Sequence, residues 1–284
     1  MEALVRNLNT LCDEQPFDTG WYLKDLRTGQ SAHRNGHVVV YSASTRKIAI
    51  LMAALKAVHE GKLSLDQPVA VEAKYASIAG GCFARLRPGL VVPFRDFLTM
   101  MIILSDNTST PTVVDMLGLD RINAFCQSIG MVGTTHRQNV PPRDLEWDHL
   151  VEANNATTPT DVGLLLDLIL QGTADPAAAA RLGITSELRQ LAIDTLSWQM
   201  LREKLSHFLP METKVAHKTG HGPRIRNDVG IIFLGDQPLF ILSVYTDRIP
   251  VEGEATRASY NIAEHHIGCM CRVVYDTLRV AVVV

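Results

Sequence analysis

Ser44-Thr45-Arg46-Lys47 opens a strongly apolar run, KIAILMAALKAVHEG at residues 47–61. The run predicts a buried helix that ends at its final glycine. Side chains three positions apart lie on one face of a helix, so Ser44 and Lys47 are expected to stand one turn apart. A serine hydroxyl needs a base before it becomes a nucleophile near neutral pH, and a lysine serves when burial or positive charge lowers its pKa. Alone the pattern says little, because this spacing arises by chance roughly once in a chain of this length.

The first companion motif is Ser105-Asp106-Asn107, which follows the apolar helical segment FRDFLTMMIIL. It is expected to lie on a short turn facing a cleft. There Ser105 can relay a proton to a leaving amine, and Asn107 can hold Lys47 or a substrate amide. Asp106 is expected to bond the backbone groups of the turn.

The second companion motif is Lys218-Thr219-Gly220, which ends a predicted strand. An edge strand at this point can align a substrate by main-chain hydrogen bonds. Lys218 and Thr219 are expected to bind a carboxylate, Gly220 permits a close backbone approach, and the N–H of His221 is expected to donate to an oxyanion. Each triplet has a chance expectation of about a few hundredths, so finding both in this order after the serine and lysine is not an accident of composition.

Strand patterns lie at both ends of the chain, and helical patterns lie between them. Residues 2–13 predict an amphipathic helix, and residues 20–41 predict two strands around a turn. Three further strands are expected in the segments TKVAHKTG, NDVGIIFLG and LFILSVYTD, before a last helix at residues 255–278. The middle helices are expected at residues 94–104, 119–130, 158–172 and 186–204, with a long loop at residues 131–157.

This order of elements predicts an α+β fold. An antiparallel sheet is formed from both termini and flanked by helices, and an all-helical domain is inserted beside it. The sheet domain is assigned to residues 1–43 and 207–284, and the helical domain to residues 44–206. The cleft between the two is the expected place for the active site.

Composition and charge exclude several classes of partner. With 46% hydrophobic residues, 20% charged residues and a net charge of −3, the chain has no broad electrostatic reason to bind nucleic acid. No stretch reaches the roughly 18 apolar residues that span a bilayer. The odd number of cysteines and the absence of a signal-peptide pattern predict reduced thiols and a cytoplasmic location. His265 and Cys269 are expected to pack in a helix, so we expect neither a metal nor a cofactor.

Together the motifs resemble those of class A-type β-lactamase-family serine hydrolases. The resemblance extends from about residue 18 to 267. It includes the segment RPGLVVPFRDFLTMMIILSDNTSTPTVVDMLG around the second motif, NATTPTD after a long loop, and the KTG strand with its neighbour NDVGIIF. The fold that it implies is that of β-lactamases and transpeptidases.

The resemblance also implies roles for the motif residues. Ser44 would be the acylated nucleophile. Proton-transfer and electrostatic roles are implied for Lys47, Ser105 and Lys218. Substrate binding is implied for Asn107 and Thr219.

The chain departs from the family pattern in the long loop. Class A enzymes carry a Glu-x-x-Leu-Asn motif whose glutamate activates the deacylating water, and NVPPRDLEWDHLVEANNATTP at residues 139–159 lacks it. Glu146, within Asp144-Leu145-Glu146, is the first candidate for this base and Glu152 the second, and a solvated loop carboxylate is the alternative. Arg224 and Arg226 are expected to bind a substrate carboxylate, with a solvated turn as the alternative.

Three functions remain open from the sequence. The leading hypothesis is a serine hydrolase that forms a Ser44 acyl-enzyme and hydrolyses a β-lactam or related amide, with or without a carboxylate. The second is a cytoplasmic amidase or esterase of small-molecule metabolism on the same scaffold. The third is a penicillin-recognising domain that is acylated without turnover, since an acyl-enzyme without a deacylating base would be long-lived. The oligomeric state stays open.

Overall fold

A computed structural model describes residues 1–75, 78, 80–142, 145–171, 175–250 and 256–280. Its main sheet has the strand order β2-β1-β9-β8-β7, and every neighbouring pair is antiparallel. The strands of this sheet are β1 (Asp18–Asp25), β2 (Ser31–Arg34), β7 (Val215–Gly222), β8 (Ile225–Leu234) and β9 (Gln237–Asp247). The α+β fold with a sheet formed from both ends of the chain is therefore confirmed.

Helices cover both faces of this sheet. On one face lie α1 (Glu2–Asp13) and α9 (Thr256–Val280), which bury a core containing Leu8, Trp21 and Phe240. The helices on the other side are α2 (Lys47–His59), α3 (Phe94–Ile103), α4 (Ser109–Leu117), α5 (Leu119–Ser128), α6 (Pro159–Gln171), α7 (Pro176–Leu182) and α8 (Ser186–Ser197). None of the helices within the described ranges is long and apolar enough to cross a lipid bilayer.

Helix α2 is the centre of the helical part. Its residues from Ile48 to Leu55 are all buried, because the segment is apolar around its whole circumference. The same core continues into the sheet through Ala216, Val229 and Ile241. The start of α2, which carries the serine and the lysine, is therefore held between the helices and strand β7. The domain boundaries drawn from the sequence stay a prediction.

Two small strand pairs were not expected from the sequence. Strand β3 (Val40–Tyr41) pairs with β6 (Ala156–Thr157), which brings the end of the long loop beside the start of α2. Strand β4 (Pro68–Ala70) pairs with β5 (Val91–Pro93). Both are too short to show a periodic pattern, so their pairing depends on tertiary contacts.

The helix expected at residues 186–204 is shorter in the structure. Helix α8 ends at Ser197, and the chain then turns back to the end of α3. There Gln199 Nε2 donates to the carbonyl oxygen of Ile102 at 2.9 Å, and the N–H of Met200 donates to that of Ile103 at 3.1 Å. These bonds satisfy terminal carbonyls of α3 that have no partner within that helix, which favours the turn over further helix.

Gly163 lets α6 pack closely against β1. A Cβ atom at this position would lie 2.2 Å from Cδ1 and 2.4 Å from Cε1 of Tyr22, closer than real contacts allow. Gly163→Ala is therefore expected to lower the free energy of unfolding by about 1–3 kcal/mol, as measured by urea denaturation. Adding Tyr22→Ala to this variant removes the clash and should cancel the extra penalty. An unchanged unfolding midpoint in the single variant would contradict this packing.

Candidate active site

Ser44 lies in a tight turn, Ala43–Arg46, that runs directly into α2. The flanking residues fix this turn. The hydroxyl of Thr45 donates to the carbonyl of Ser42 at 2.6 Å and lies 2.9 Å from the hydroxyl of Tyr245. Ala43 has a φ of +44°, a conformation that non-glycine residues rarely adopt and that clusters at functional sites. The turn is therefore rigid, and Ser44 itself faces a cavity.

Lys47 connects the first motif to the second. Its Nζ lies 2.7 Å from the main-chain oxygen of Ser105, 3.1 Å from the Ser105 hydroxyl and 2.9 Å from Asn107 Oδ1. The side chain is buried, as a lysine is only when its polar contacts are made within the protein. The structure thus brings together the residues of the two motifs that the sequence placed about 60 positions apart.

The surroundings of Lys47 favour its neutral form. Burial lowers the pKa of the amine well below its ordinary value, and the nearby positive charges of Lys218 and Arg46 lower it further, against an opposing effect of Asp106. Burial also lowers the pKa of Lys218, to about 7. These effects favour the neutral amine, whose lone pair is what a general base needs.

Asp106 organises the turn that carries the second motif. Its Oδ1 accepts hydrogen bonds from the N–H groups of Thr108 at 2.9 Å and Ser109 at 2.7 Å, and its Oδ2 accepts one from the N–H of Phe83 at 2.8 Å. Ser105 beside it has a φ of +54°. Asp106 therefore bonds the backbone of the turn, as expected, and holds Ser105 in an unusual conformation facing Lys47.

Strand β7 brings the third motif against the Ser44 turn. Lys218 and Thr219 are fully buried, and Lys218 Nζ donates to the carbonyl of Thr219 at 2.8 Å. A Cβ on Gly220 would lie 3.2 Å from both Ala43 Cβ and Thr45 Cγ2. A side chain at this position would push the strand and the turn apart by a few tenths of an ångström. The Thr219 hydroxyl has no hydrogen-bond partner within the described part of the chain.

The Ser44 cavity has a volume of about 340 Å³. Ser44, Lys47 and Asn107 line it, and so do His221–Pro223, which we call the rim. Residues 139–142 of the long loop also line it. The lining residues therefore come from all three motifs or from their immediate neighbours. Lys218 and Thr219 are buried and are not among them.

The two glutamates considered as deacylating bases do not reach this cavity. Glu146 is exposed and Glu152 lies at a separate cavity of about 650 Å³ beside Trp147. None of the described residues that line the Ser44 cavity carries a carboxylate. Asp144, next to Glu146 in the sequence, lies outside the described residues. The geometry therefore gives no support to Glu146 as the base.

The two arginines after the third motif are used within the protein. Arg224 Nη1 donates to the carbonyl oxygens of Trp147 at 2.8 Å and His149 at 2.9 Å, and Nη2 donates to Asp247 at 3.0 Å. Arg226 is also buried and pairs with Glu264. This corrects the expectation that they bind a substrate carboxylate or lie on a solvated turn.

Sequence reasoning missed two groups that shape the site. Arg46, between the serine and the lysine, donates to the carbonyls of Gln138 at 2.7 Å and Asn139 at 2.6 Å and so holds the loop wall in place. Lys204 lies in a region taken for helix, and Lys204 Nζ is fully buried 2.8 Å from His221 Nε2. No local pattern marks either role, because their partners are distant in sequence.

Three side chains of the kinds that bind metal ions lie close together at the rim. The ligand atoms of Glu203, His221 and Glu264 all lie within 4.8 Å of one another. Lys204 Nζ lies 2.9 Å from Glu203 Oε1 and 3.7 Å from Glu264 Oε1. The ammonium group of Lys204 thus already supplies the cation that these carboxylates neutralise.

Fold and site together define a β-lactamase-like serine hydrolase. A model of the beta-lactamase enzyme family matches residues 3–278, and the chain belongs to this family. A beta-lactamase from Bacteroides uniformis is 22% identical over 274 residues, which cover 88% of this chain and 83% of the relative.

Solved structures show the same fold. A beta-lactamase from Sphaerobacter thermophilus has a TM-score of 0.83 at 22% identity, covering 98% of each chain. A PBP-A variant in an acyl-enzyme complex with penicillin G has a TM-score of 0.83 at 23% identity, covering 98% of this chain and 97% of that chain. The β-lactamase and penicillin-binding-protein-like fold implied by the motif resemblance is therefore confirmed.

Proposed function

We propose that the protein is acylated on Ser44 by the carbonyl group of a β-lactam or a related amide. The observation that carries this proposal is the buried Lys47 amine, which shares the cavity with Ser44 and is bonded to Ser105 and Asn107. Neutral Lys47 takes the proton from the Ser44 hydroxyl as its oxygen attacks the carbonyl carbon. The C–N bond then breaks, and the proton passes through the Ser105 hydroxyl to the leaving nitrogen.

The main chain on two sides of the cavity supports the developing negative charge. The N–H of Ser44 lies at the N-terminal end of the helical turn, and the N–H of His221 belongs to the rim of the same cavity. Donors fixed before the reaction stabilise an oxyanion more than solvent does, because they do not have to reorient. Tight packing of Gly220 against Ala43 and Thr45 keeps the two sides close together.

We favour a slow second step, in which water hydrolyses the acyl-enzyme only slowly. Hydrolysis needs a base to activate water, and the described lining residues of the cavity include no carboxylate. This supports a penicillin-recognising protein that turns over slowly, rather than an efficient β-lactamase. A PBP-A variant, which has a similar fold, forms such an acyl-enzyme with penicillin G. A cytoplasmic amidase or esterase stays a second prediction, which simple amide and ester substrates would test.

The acylation step is tested by intact-mass spectrometry after incubation with penicillin G. We expect one equivalent of adduct, and fragmentation should place it on Ser44. Ser44→Ala should stay unmodified. Ser42→Ala, which alters a buried hydroxyl bonded to the carbonyl of Asn155, should still be acylated. A folded wild-type protein that gains no adduct on Ser44 would overturn the proposal.

The deacylation step is tested by pre-steady-state kinetics with nitrocefin. We expect a burst of about one equivalent followed by a much slower steady state. Glu146→Gln should leave both phases unchanged, because Glu146 is exposed and does not line the cavity. Rapid turnover that disappears in Glu146→Gln would identify this residue as the base and exclude a stable acyl-enzyme.

A further inference from the structure

Each residue of the rim His221–Pro223 has a hydrogen-bond partner that does not itself line the cavity. All three residues line the Ser44 cavity. His221 and Gly222 are the last residues of the edge strand β7, and they still pair with Arg226 and Ile225 of β8. The N–H of His221 acts on the oxyanion only if this rim stays at a fixed distance from Ser44.

Arg226 holds the middle of the rim. Its Nη1 donates to the carbonyl of Gly222 at 2.8 Å and to that of Ile225 at 2.7 Å, which ties the two strands of the hairpin together. Its Nε donates to Glu264 Oε1 at 3.1 Å, so the side chain is anchored on α9. Bonds from a guanidinium to several acceptors in fixed directions restrict position more than a single bond does.

Tyr260 holds the far end of the rim. Its hydroxyl donates to the carbonyl of Pro223, and its ring lies 3.5 Å from the guanidinium carbon of Arg226. The ring therefore supports the arginine from one side while the hydroxyl fixes the last rim residue. Tyr260 and Glu264 are one helical turn apart on α9, so both contacts come from one face of the helix.

Lys204 and Glu203 hold the near end of the rim. Lys204 Nζ lies 2.8 Å from His221 Nε2, and Glu203 Oε1 lies 3.3 Å from the same nitrogen. Burial alone would raise the pKa of Glu264, but the hydrogen bond from His221 and the positive charges of Lys204 and Arg226 lower it below its ordinary value. The carboxylate is therefore charged at neutral pH, and its pairing with Arg226 persists.

We propose that Arg226, Tyr260 and Glu264 are positioning residues that set the rim, and with it the His221 N–H, at the distance from Ser44 that the oxyanion requires. The inference rests on the proposed acylation of Ser44. It assigns to Arg226 an indirect role in the reaction in place of direct substrate binding. An oxyanion donor acts within about 0.4 Å of distance, so a loosened rim weakens catalysis without removing any reacting group.

Two substitutions each remove different hydrogen bonds to the rim. Arg226→Met removes the bonds to Gly222 and Ile225, and Tyr260→Phe removes only the hydroxyl bond to Pro223. We expect the acylation rate constant with penicillin G to fall about 10- to 100-fold in Arg226→Met and about 3- to 10-fold in Tyr260→Phe, part of the roughly 10²–10³-fold cost of losing an oxyanion donor. Substrate affinity before acylation should change less than the rate constant.

The matched control is Arg272→Met. Arg272 lies on α9, pairs with Asp276 and donates to the carbonyl of Phe208 at 2.9 Å, but does not touch the rim. Arg272→Met should acylate like the wild type. Arg226→Lys keeps a donor for Gly222 and should recover part of the rate.

Infrared difference spectra of the acyl-enzyme separate positioning from a general loss of stability. The ester carbonyl band should move to higher frequency in Arg226→Met and Tyr260→Phe, because its hydrogen bonds from the rim are weaker, and should stay in place in Arg272→Met. Rates and carbonyl bands in both rim variants that equal those of Arg272→Met would overturn the proposal. If Arg226→Met does not fold, Tyr260→Phe decides alone. Failure of the wild type to form any adduct would instead refute the proposed function.

Discussion

Replacing Lys47 with methionine is expected to lower the rate constant for acylation of Ser44 by about 10²- to 10⁴-fold, the range found for loss of a general base. Methionine fills a similar volume but has no lone pair on nitrogen to accept the serine proton. It also leaves the carbonyl of Ser105 and Oδ1 of Asn107 without their donor. Stopped-flow measurements with nitrocefin, and the rate of mass-adduct formation with penicillin G, give the rate constant directly.

The pH profile separates loss of the base from loss of structure. Only neutral Lys47 can act as the base, so acylation by the wild type should increase with pH until the lowered pKa of this amine is passed, and then level off. Lys47→Met should lose this dependence. Lys56→Met, on the same helix with its Nζ 6.0 Å from the ring of Phe125, is the matched control and should keep both rate and profile. Lys47→Met with wild-type rates would exclude the lysine as base.

The parts of the site that depend on local pattern could be predicted from the sequence. Apolar residues all round α2 predict burial, and burial of this helix carries Lys47 into the interior, where its pKa is lowered. The turn-forming role of Asp106 follows from the tendency of aspartate to bond nearby main-chain N–H groups. These effects act over a few residues, so the sequence contains the information needed.

The path of the long loop could not be predicted, because buried arginines determine it by bonding main-chain carbonyls. Arg46 binds the carbonyls of residues 138 and 139, and Arg224 binds those of residues 147 and 149. Every residue type has a carbonyl oxygen, so the acceptors leave no mark in the sequence. Glu146 lies in this part of the loop, so the sequence could name it as a candidate base but could not place it relative to the cavity.

The same reasoning explains why Arg226 was assigned to the substrate. In the sequence it is a basic residue shortly after the third motif, a position that predicts contact with solvent or substrate. Its partners Glu264 and Tyr260 come from α9, nearly 40 residues later. Only the packing of α9 on the face of the sheet shows that the guanidinium is already bonded within the protein.

Asp106→Ala is expected to cause the largest loss of stability, about 3–5 kcal/mol in the free energy of unfolding. The carboxylate is fully buried and accepts hydrogen bonds from the N–H groups of Phe83, Thr108 and Ser109. Alanine accepts none of them, and each buried N–H left without a partner costs about 1–3 kcal/mol. A total of this size is a large share of the roughly 5–15 kcal/mol that stabilises an ordinary domain.

The loss should extend to acylation, because Lys47 is bonded to the main-chain oxygen of Asp106 and to both of its neighbours, Ser105 and Asn107. Without the carboxylate, the hydrogen bond from the N–H of Phe83 to the Ser105 turn is lost, and this removes support from the positive φ of Ser105. Urea denaturation measures the stability, and nitrocefin acylation measured where the variant is still folded measures the site. The control is Asp120→Ala, an exposed aspartate in the first turn of α5, for which we expect a change within about 0.5 kcal/mol. If Asp106→Ala unfolds at the same urea concentration as Asp120→Ala, the buried hydrogen bonds of Asp106 do not hold the turn. The position of Ser105 and Asn107 against Lys47 must then depend on the packing of α3 and α4 alone.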